Sequence, residues 1–396
     1  MTTTINNEHK KLNVPNLRFP EFQGEWKKCK LSENCTFFSG GTPSSSNKDF
    51  YGGNIAFIRS GELHADSTEL FITQAGFDSS SAKMVEVGDL LLAMYGATSG
   101  DIAVSKIKGA INQAILCIRT KQNKKFIESV WNKHVSKNLR KYLQGGQGNL
   151  SADIVKGISF FFPTLKEQEK IANLVSLLDE RIATQNKIIE DLKKLKSAII
   201  DYAINALDTD FAKFGSLYEM AGEGGTPTTS NASFYDNGKI PFIKIDDLKK
   251  KYLTKNKDFI TELGLQKSSA WLVPTRSILF SNGATIGEIT ITTYPVCTKQ
   301  GILGIVPKPN IDVEFLYYFM SSSYFKKAVS RIVTEGTMKT VYLKDINNIR
   351  CPIPTKEKQL DIAKMPSALN SKIDFEQSIL KLFGSQKQYL LRQMFM

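Results

Sequence analysis

The sequence predicts an α+β protein that contains two copies of one unit, each a mixed α/β domain followed by a long helix. Three observations lead to this prediction. A glycine-rich loop occurs twice, a long amphipathic stretch occurs in the middle of the chain and again at its end, and short strand-like runs lie between them. Two related copies predict a pseudo-twofold arrangement, in which the long helices bury their apolar faces against each other, parallel or antiparallel.

The repeats divide the 396-residue chain into five predicted segments. The first residues are polar and predict a flexible leader. The segments are the leader over 1–16, a first domain over 17–162, a central helix over 163–207, a second domain over 208–353 and a C-terminal helix over 354–396.

The central helix is predicted from the run that follows Pro163, which contains no further proline or glycine. Apolar residues recur there at intervals of mostly three or four, the spacing of one helix face. About forty residues at ~1.5 Å each give a helix of roughly 60 Å. Such a length is typical of a spacer or a coiled-coil arm.

The same pattern returns at the end of the chain, where Pro354 and Gln359 match Pro163 and Gln168. Pro366 and Gly384 are expected to interrupt this second helix, and each should bend or weaken it. The predicted core of the helix pair is Ile171, Leu174, Leu178, Ile182, Leu192, Ile199, Ile362, Leu369, Ile373, Ile379 and Leu390.

Apolar residues on the remaining sides of the helices, such as Ile189 and Leu380, are expected to be exposed and are candidates for a partner interface.

The two domains share three motifs, and the offset between copies grows steadily along the chain, as expected for one duplication with small insertions. The paired motifs are GGTPSSSNKDFY (40–51) with GGTPTTSNASFY (224–235), IAFIRSGEL (55–63) with IPFIKIDDL (240–248), and YGATSGDIAV (95–104) with NGATIGEITI (282–291). Strand-like runs at Leu90–Tyr95, Asp101–Ser105 and Ala114–Arg119 have matches at Ile278–Ser281, Glu288–Thr292 and Leu303–Pro307, and the predicted helices are Phe126–Gln144 and Val313–Val333.

Charge is the composition's main indication of a partner. The chain has 52 Lys and Arg residues against 39 Asp and Glu residues, a net charge of +13. This balance favours a polyanion, with nucleic acid first and a membrane surface second. We see no signal peptide, and no apolar run approaches the ~18 residues of a membrane span. The sequence therefore predicts a soluble, cytoplasmic protein.

Motifs for catalysis are absent from the sequence. We find no glycine-rich cofactor loop after a strand, no Asn/Asp-Pro-Pro-aromatic turn for a flipped base and no Walker loop. The glycine-rich run GGQGN (145–149) follows a helix, and the three histidines lack metal-ligand spacing. We therefore expect no catalytic site, cofactor or metal in this chain.

The combination of a G-x-TP loop, a GAT-x-G turn and a P-x-x-x-x-Q-x-x-IA helix, each present twice, resembles the specificity subunit (HsdS) of type I restriction–modification systems. The N-terminal segment LRFPEFQGEW is also similar to that family, and the resemblance covers the chain from about Leu17 to Met396.

The resemblance implies that each domain is a target recognition domain that reads one half of a bipartite, asymmetric site in double-stranded DNA. The helices would form an antiparallel coiled coil that sets the spacing between the half-sites. Two modification (HsdM) subunits would dock on them and methylate adenine N6 with S-adenosylmethionine. Restriction (HsdR) subunits would add ATP- and Mg-dependent translocation and cleavage, as a defence against foreign DNA.

Residues shared by two domains that read different sequences are expected to be scaffold, and readers are expected at polar positions of the matching loops, mostly where the copies differ. Arg, Asn and Gln suit base edges and Lys suits phosphates. The candidate DNA-binding residues are Arg59, Tyr95, Asn112, Gln113, Gln147, Asn149, Lys244, Lys299, Gln300 and Lys339. We interpret Lys193–Lys196 and Lys249–Lys251 as solvated faces, with phosphate contacts by Lys249–Lys251 as the alternative.

Three other interpretations stay open at this point. The chain could be a coiled-coil scaffold that binds DNA or protein without sequence specificity, a self-contained modification enzyme, or a truncated specificity protein.

Overall fold

The computed structural model describes residues 13–142, 149–283, 285–333 and 339–396, with side chains described for all of them except 136–142. Its contacts divide the chain into two compact units. Unit 1 comprises the residues up to Gln185 together with Ile379–Met396, and unit 2 comprises Asn186–Ser378. In the part of the chain that is described, no helix is both long and apolar enough to span a bilayer.

The described residues of unit 1 form ten strands and parts of two long helices. The strands are β1 (Lys27–Lys30), β2 (Cys35–Ser39), β3 (Tyr51–Ile58), β4 (Phe71–Ile72), β5 (Lys83–Val85), β6 (Leu90–Ala93), β7 (Ile102–Val104), β8 (Gly109–Ile111), β9 (Ile115–Thr120) and β10 (Ser159–Phe162). The helices are α1 (Leu31–Asn34), α2 (Gln74–Asp78), α3 (Lys124–Tyr142), α4 (Ala152–Gly157) and the first half of α5 (Leu165–Asn205).

Three sheets organise unit 1. One is antiparallel with the order β2-β9-β6-β7, and a second has the order β4-β3-β8-β5. Within the second sheet, β3 and β8 are parallel, with Ile58 opposite Ile111. Strands β1 and β10 form a separate antiparallel pair. Strand β6 reads LLLA and is buried along its whole length, as expected for a strand covered on both faces.

The largest core of unit 1 lies between the β2-β9-β6-β7 sheet, helix α3 and the long helices. Trp26, Phe126 and Trp131 are fully buried in it. The end of the chain completes this core, because the ring of Phe395 lies 5.2 Å from that of Phe126. Residues 13–16 of the predicted leader include Asn16, whose side chain bonds to Gln393, and residues 1–12 lie outside the described range.

Unit 2 repeats this plan. Its strands are β11 (Phe211–Lys213), β12 (Tyr218–Glu223), β13 (Ile240–Ile243), β14 (Tyr252–Leu253), β15 (Asp258–Ile260), β16 (Ile278–Ser281), β17 (Ile289–Thr292), β18 (Cys297–Thr298), β19 (Ile302–Pro307) and β20 (Arg350–Pro352). Its helices are the second half of α5, α6 (Glu262–Gln266), α7 (Val313–Ser321), α8 (Ser323–Ile332), α9 (Leu343–Ile346) and the first part of α10 (Lys356–Met394).

The sheets of unit 2 match those of unit 1 except at one edge of each, where β14 is added and β5 has no counterpart strand among the described residues. The order β12-β19-β16-β17-β14 corresponds to β2-β9-β6-β7 with one added strand, and β15-β13-β18 corresponds to β4-β3-β8. As in unit 1, the central pair β13 and β18 is parallel, with Ile243 opposite Thr298. The duplication predicted from the motifs is therefore also a duplication of topology, and the predicted α+β class is confirmed.

The helix predicted over Val313–Val333 is two helices, α7 and α8. The backbone of Ser322 is extended, and its hydroxyl accepts a hydrogen bond from the Phe325 N–H (3.2 Å). Serine in this position caps the first turn of a new helix. The apolar periodicity continues across the break, which is why the sequence pattern did not reveal it.

Helix α10 continues through Pro366 and Gly384, so the expected interruption is wrong. A proline inside a helix costs about 3 kcal/mol because it removes a hydrogen bond and crowds the preceding turn. Contacts within unit 2 offset this cost. Ala363 belongs to the core of the unit, and the Ser367 hydroxyl accepts from the ammonium of buried Lys251 (3.0 Å).

The two long helices run antiparallel within each unit. In unit 1, Asp179 of α5 pairs with Lys387 of α10. Ile171 lies earlier on α5 and shares a core with Leu391, which lies later on α10. In unit 2, the Lys196 ammonium donates to the Asn370 side chain (3.1 Å). Ile204 lies farther along α5 and shares a core with Ala363, which lies nearer the start of α10, so the helices have opposite directions in this unit as well.

Asp179 also bonds to Lys125 of α3 (2.9 Å), so one carboxylate joins three helices of unit 1. Burial raises the pKa of Asp179, but the hydrogen bonds from Lys387 and Lys125 outweigh it and leave that pKa below its usual value.

The predicted helix-pair positions differ in burial. Ile171, Leu178 and Ile373 are buried, and the other eight are partly buried. Ile189 is only 6% exposed, whereas Ile188 is 40% exposed. The expectation that Ile189 is exposed is therefore wrong, because the buried face passes through this residue and not through its neighbour.

A buried glutamine fixes the start of each long helix. The Gln168 amide donates to the Pro163 carbonyl (3.0 Å) and to Gln122 (2.8 Å), and its oxygen accepts from the Asn123 N–H (3.1 Å). Asn123 immediately precedes α3, so the amide links the starts of two helices in unit 1.

Gln359 makes the same kind of bonds in unit 2. Its amide donates to the carbonyls of Pro354 (2.9 Å) and Asn310 (3.2 Å), and its oxygen accepts from the Asp312 N–H (2.7 Å). Asp312 caps α7. The recurring P-x-x-x-x-Q motif thus links the start of each long helix to a shorter helix of the same unit.

Candidate nucleic-acid interface

The glycine-rich loop of each unit is a closed scaffold. Gly40 packs so tightly that a Cβ there would lie 1.7 Å from the Ile111 carbonyl oxygen. The Tyr51 hydroxyl donates to the Pro43 carbonyl (2.8 Å), and the Asn47 side chain accepts from the Asp49 N–H.

The loop of unit 2 repeats these contacts. A Cβ at Gly224 would lie 2.1 Å from the Thr298 hydroxyl, and Tyr235 donates to the Pro227 carbonyl. These shared residues bond to one another, which explains why they occur in both copies.

The candidate readers Arg59 and Asn112 of unit 1 lie side by side. Each follows the carboxyl end of a strand, Arg59 after β3 and Asn112 after β8, and those strands are parallel neighbours. The carboxyl ends of parallel strands meet at one edge of a sheet, the usual place of binding sites in such folds. Residues 53 positions apart in the sequence are thereby brought together.

Arg59 is held by an acidic neighbour. Its guanidinium bonds to both carboxylate oxygens of Glu62, at 2.6 and 3.2 Å. This hydrogen bonding raises the pKa of Arg59 and lowers that of Glu62. Nη1 bonds to no residue that the structure describes, so it is the nitrogen of the guanidinium that remains available to a ligand.

Gln113 joins two of the repeated motifs. Its side-chain oxygen accepts from the Thr42 hydroxyl of the glycine-rich loop (2.7 Å). The side-chain oxygen of Asn112 accepts from the Ala114 N–H (3.1 Å). This link was not predicted from the sequence, although Thr42 and Gln113 both recur in the second copy.

Tyr95 and Asn149 also lie together in unit 1. The turn after β6 closes when the Gly100 N–H donates to the Ala93 carbonyl (2.8 Å). The Leu150 N–H donates to Met94 (2.8 Å), so Asn149 lies next to this turn, and both candidate side chains are exposed. The candidate Gln147 lies outside the described residues.

The candidate edge of unit 2 has the same geometry with different side chains. Lys244 follows β13 and Lys299 follows β18, and the Lys299 N–H donates to the Ile243 carbonyl (2.9 Å). Lys244 pairs with Asp258 at 2.8 Å. The Gln300 N–H donates to the Thr226 hydroxyl, so the same two positions are joined as in unit 1, but through the backbone of the glutamine and with the threonine as acceptor.

Lys339 is exposed. It lies two residues before Val341, whose N–H donates to the Asn282 carbonyl (3.0 Å). Leu150 makes the matching bond in unit 1, so the counterpart of Asn149 is Thr340, and Lys339 lies one residue farther from the turn that follows β16. Throughout the described ranges, no group of three or more His, Cys, Asp or Glu side chains could hold a metal ion.

Comparison with known proteins identifies this pair of domains. The family model for the type I restriction modification DNA specificity domain matches residues 23–194 and 208–382. The chain belongs to the type I restriction–modification specificity family. It contains two specificity domains, which are its target recognition domains.

Relatives agree with this assignment. The chain is 24% identical over 363 residues to the type I restriction enzyme MjaIX specificity subunit of Methanocaldococcus jannaschii, covering 83% of each sequence. It is 24% identical over 407 residues to a putative MjaX specificity subunit of the same organism, covering 93% of this chain and 92% of the relative. Among solved structures, its fold is similar to that of the type I restriction-modification system S subunit from M. genitalium, with a TM-score of 0.60, 16% identity and coverage of 97% and 99%.

The two specificity domains differ in length at one turn. In unit 2, the Gly287 N–H donates to the Ser281 carbonyl (3.0 Å) and the Asn282 N–H donates to Gly301 (3.0 Å). The turn is thus one residue shorter than in unit 1. The alignment of Tyr95 with Asn282 is therefore wrong, and Tyr95 has no counterpart in the second specificity domain.

Proposed function

We propose that each specificity domain reads one half of a bipartite, asymmetric DNA site. The observation that carries the proposal is that both domains present the same strand-end edge with different polar side chains. Arg59 and Asn112 stand where the second domain has Lys244 and Lys299, on a backbone that the shared loop residues hold fixed. Two domains that read different half-sites need the same backbone to position the DNA and different side-chain donors to contact the bases.

We further propose that the long helices set the spacing between the half-sites and dock two modification subunits. Helix α5 has 41 residues, which corresponds to about 60 Å at ~1.5 Å per residue. Both helices carry exposed apolar side chains, and such surfaces mark interaction sites. These residues are Leu165, Leu177, Ile188, Leu195 and Tyr202 on α5, and Leu360, Met365, Phe375, Leu382 and Tyr389 on α10.

In this proposal the chain contributes recognition and not catalysis. The modification subunits bind S-adenosylmethionine and methylate adenine N6, and restriction subunits bind ATP and Mg. The basic net charge of +13 supports a DNA partner, because lysines and arginines that neutralise phosphates release counterions.

Methylome sequencing tests the proposal. A host without restriction–modification systems expresses the chain with its modification subunit, the chain alone, and a third version in which residues 208–353 come from a related specificity subunit. We expect N6-methyladenine in a split motif only when both proteins are present, and the domain replacement should change one half of the motif. Methylation by the chain alone would refute the non-catalytic role, and a change in both halves would refute separate reading.

If no motif is methylated but the complex binds DNA without sequence preference, the scaffold interpretation replaces this proposal.

A further inference from the structure

The loop that leaves the candidate edge has opposite charge in the two units. In unit 2, residues 244–258 connect β13 to its antiparallel neighbour β15, and they contain six lysines and three aspartates, a net charge of +3. In unit 1, residues 59–71 connect β3 to its antiparallel neighbour β4. They contain one arginine and three acidic residues, a net charge of −2 with His64 neutral.

The basic loop of unit 2 is folded around an inward-pointing lysine. Lys251 is buried, and its ammonium bonds to the Tyr318 hydroxyl (2.8 Å) and pairs with Glu314. The interpretation of Lys249–Lys251 as a solvated face is therefore wrong for Lys251, which anchors the loop.

Hydrogen bonds also hold the far part of this loop. The Asn256 side chain donates to the Asp258 carbonyl (2.6 Å) and accepts from the Tyr294 hydroxyl (3.0 Å). The Leu253 carbonyl accepts from the Thr293 hydroxyl. The loop is thus a fixed surface and its exposed lysines have a defined backbone position.

The other lysines of the loop surround an open cleft of about 710 Å³. Lys244 and Lys249 are exposed members of ion pairs with Asp258 and Asp246, and such pairs are worth little in water. Within the described residues, no ion pair involves the exposed side chains of Lys250, Lys255 and Lys257. Among the described residues, three ammonium groups around one cleft therefore have no ion-pair partner, against one carboxylate of the same lining, that of Asp247, which is also outside any ion pair.

This cleft adjoins the edge described above, because Lys244 belongs to both. We propose that the lysine cleft, formed by residues 244–258, binds the DNA phosphate backbone next to the half-site that unit 2 reads. The inference rests on the proposed function, and it adds that the two half-sites are held unequally. The acidic loop of unit 1 cannot make these phosphate contacts, so binding through this position is confined to unit 2.

The salt dependence of DNA binding tests the inference. The variant is K255Q/K257Q and the matched control is K213Q/K308Q, which removes the same charge from exposed lysines of unit 2. Gln300 precedes the first residue of β19 and Lys308 follows its last residue, so Lys308 lies at the other end of the strand from the candidate edge. Each full-length variant is purified with its modification subunit and titrated with two duplexes at several salt concentrations. One duplex carries the motif from methylome sequencing. In the other duplex, the half-site that unit 2 reads is scrambled.

We expect the slope of log affinity against log salt to fall by about 2 in K255Q/K257Q, because each phosphate contact contributes ~0.9. The slope of the control should stay unchanged. The ratio of affinities for the two duplexes should also stay unchanged, because phosphate contacts carry no sequence information. An unchanged slope, or loss of the modification subunit from the complex in place of a slope change, would overturn the inference.

The wild-type complex separates this outcome from failure of the proposed function. If it binds both duplexes equally, sequence reading by unit 2 is wrong. The change in slope still reports whether the lysine cleft binds phosphates.

Discussion

Replacing Gln359 by leucine should open the start of α7 in unit 2. Gln359 is 1% exposed and makes three hydrogen bonds within that unit. Leucine fills most of the same volume but leaves the Asp312 N–H and the carbonyls of Asn310 and Pro354 without these partners. An unsatisfied buried polar group costs about 1–3 kcal/mol, and carbonyl oxygens find other donors more readily than an N–H finds an acceptor.

We therefore expect the free energy of local opening to fall by about 2–4 kcal/mol, mostly from the Asp312 N–H. At 1.4 kcal/mol per factor of ten, amide exchange should accelerate roughly 30- to 1,000-fold. Hydrogen exchange with mass spectrometry measures this in peptides that cover residues 310–316. K358L is the control, because Lys358 is an exposed neighbour on the first turn of α10.

A Q168L variant provides a second comparison. It should accelerate exchange around residues 122–126 of unit 1 and leave 310–316 unchanged, because its bonds lie in unit 1. If Q359L accelerates exchange at 310–316 no more than K358L does, the buried amide does not stabilise the helix start and the reasoning is refuted.

The remaining predictions concern packing, a buried charge and pH. G224A should destabilise unit 2 by about 1–3 kcal/mol, since the new Cβ meets the Thr298 hydroxyl at 2.1 Å, whereas calorimetry should show no such loss for G61A, where the Cβ meets nothing. K251M should lower the free energy of unfolding in urea by about 3–5 kcal/mol, because it leaves Glu314 without its ion-pair partner. The double variant K251M/E314L should lose less, and an equal loss would contradict this explanation. Because the pKa of Asp179 is lowered in the fold, its contribution is present at neutral pH and is lost as pH falls below about 4; D179N should make the melting temperature of unit 1 less sensitive to acid, and an identical pH profile would contradict this.

The sequence predicted the elements whose signal is local and repeated. The long helix α5 follows from its apolar spacing, and the α+β class follows from strand-like runs such as Ile278–Ser281, which matches β16 residue for residue. Matching motifs revealed the duplication. These predictions succeeded because side-chain periodicity and repetition are written directly in the order of residues.

What the sequence could not predict depends on contacts between distant residues. The placement of Arg59 next to Asn112 follows from a parallel strand pair, which leaves no local pattern. Pro366 was expected to interrupt α10 because local propensity opposes it, and packing against unit 2 outweighs that propensity. The one-residue difference at Tyr95 was hidden because the motif GAT follows in both copies and dominates the alignment.

The candidate DNA-binding residues remain predictions, but the structure narrows what each can offer. Arg59 and Lys244 are already in ion pairs with Glu62 and Asp258. The side chain of Gln113 already accepts a hydrogen bond from Thr42. A base or phosphate would compete with these partners or use the remaining donors. Sequence reasoning judges side chains by type and cannot see such prior bonds.

The composition of unit 1 has a consequence for synthesis on the ribosome. Unit 2 is one continuous segment and can fold as soon as it has emerged, whereas the core of unit 1 includes Leu391, Met394 and Phe395, which are made after all of unit 2. Unit 1 is translated first, but part of its apolar core therefore stays uncovered until unit 2 and the end of α10 have been synthesised. A message cut short before residue 379 would yield a folded second unit beside an unfinished first one, with exposed apolar surface that chaperones and proteases recognise.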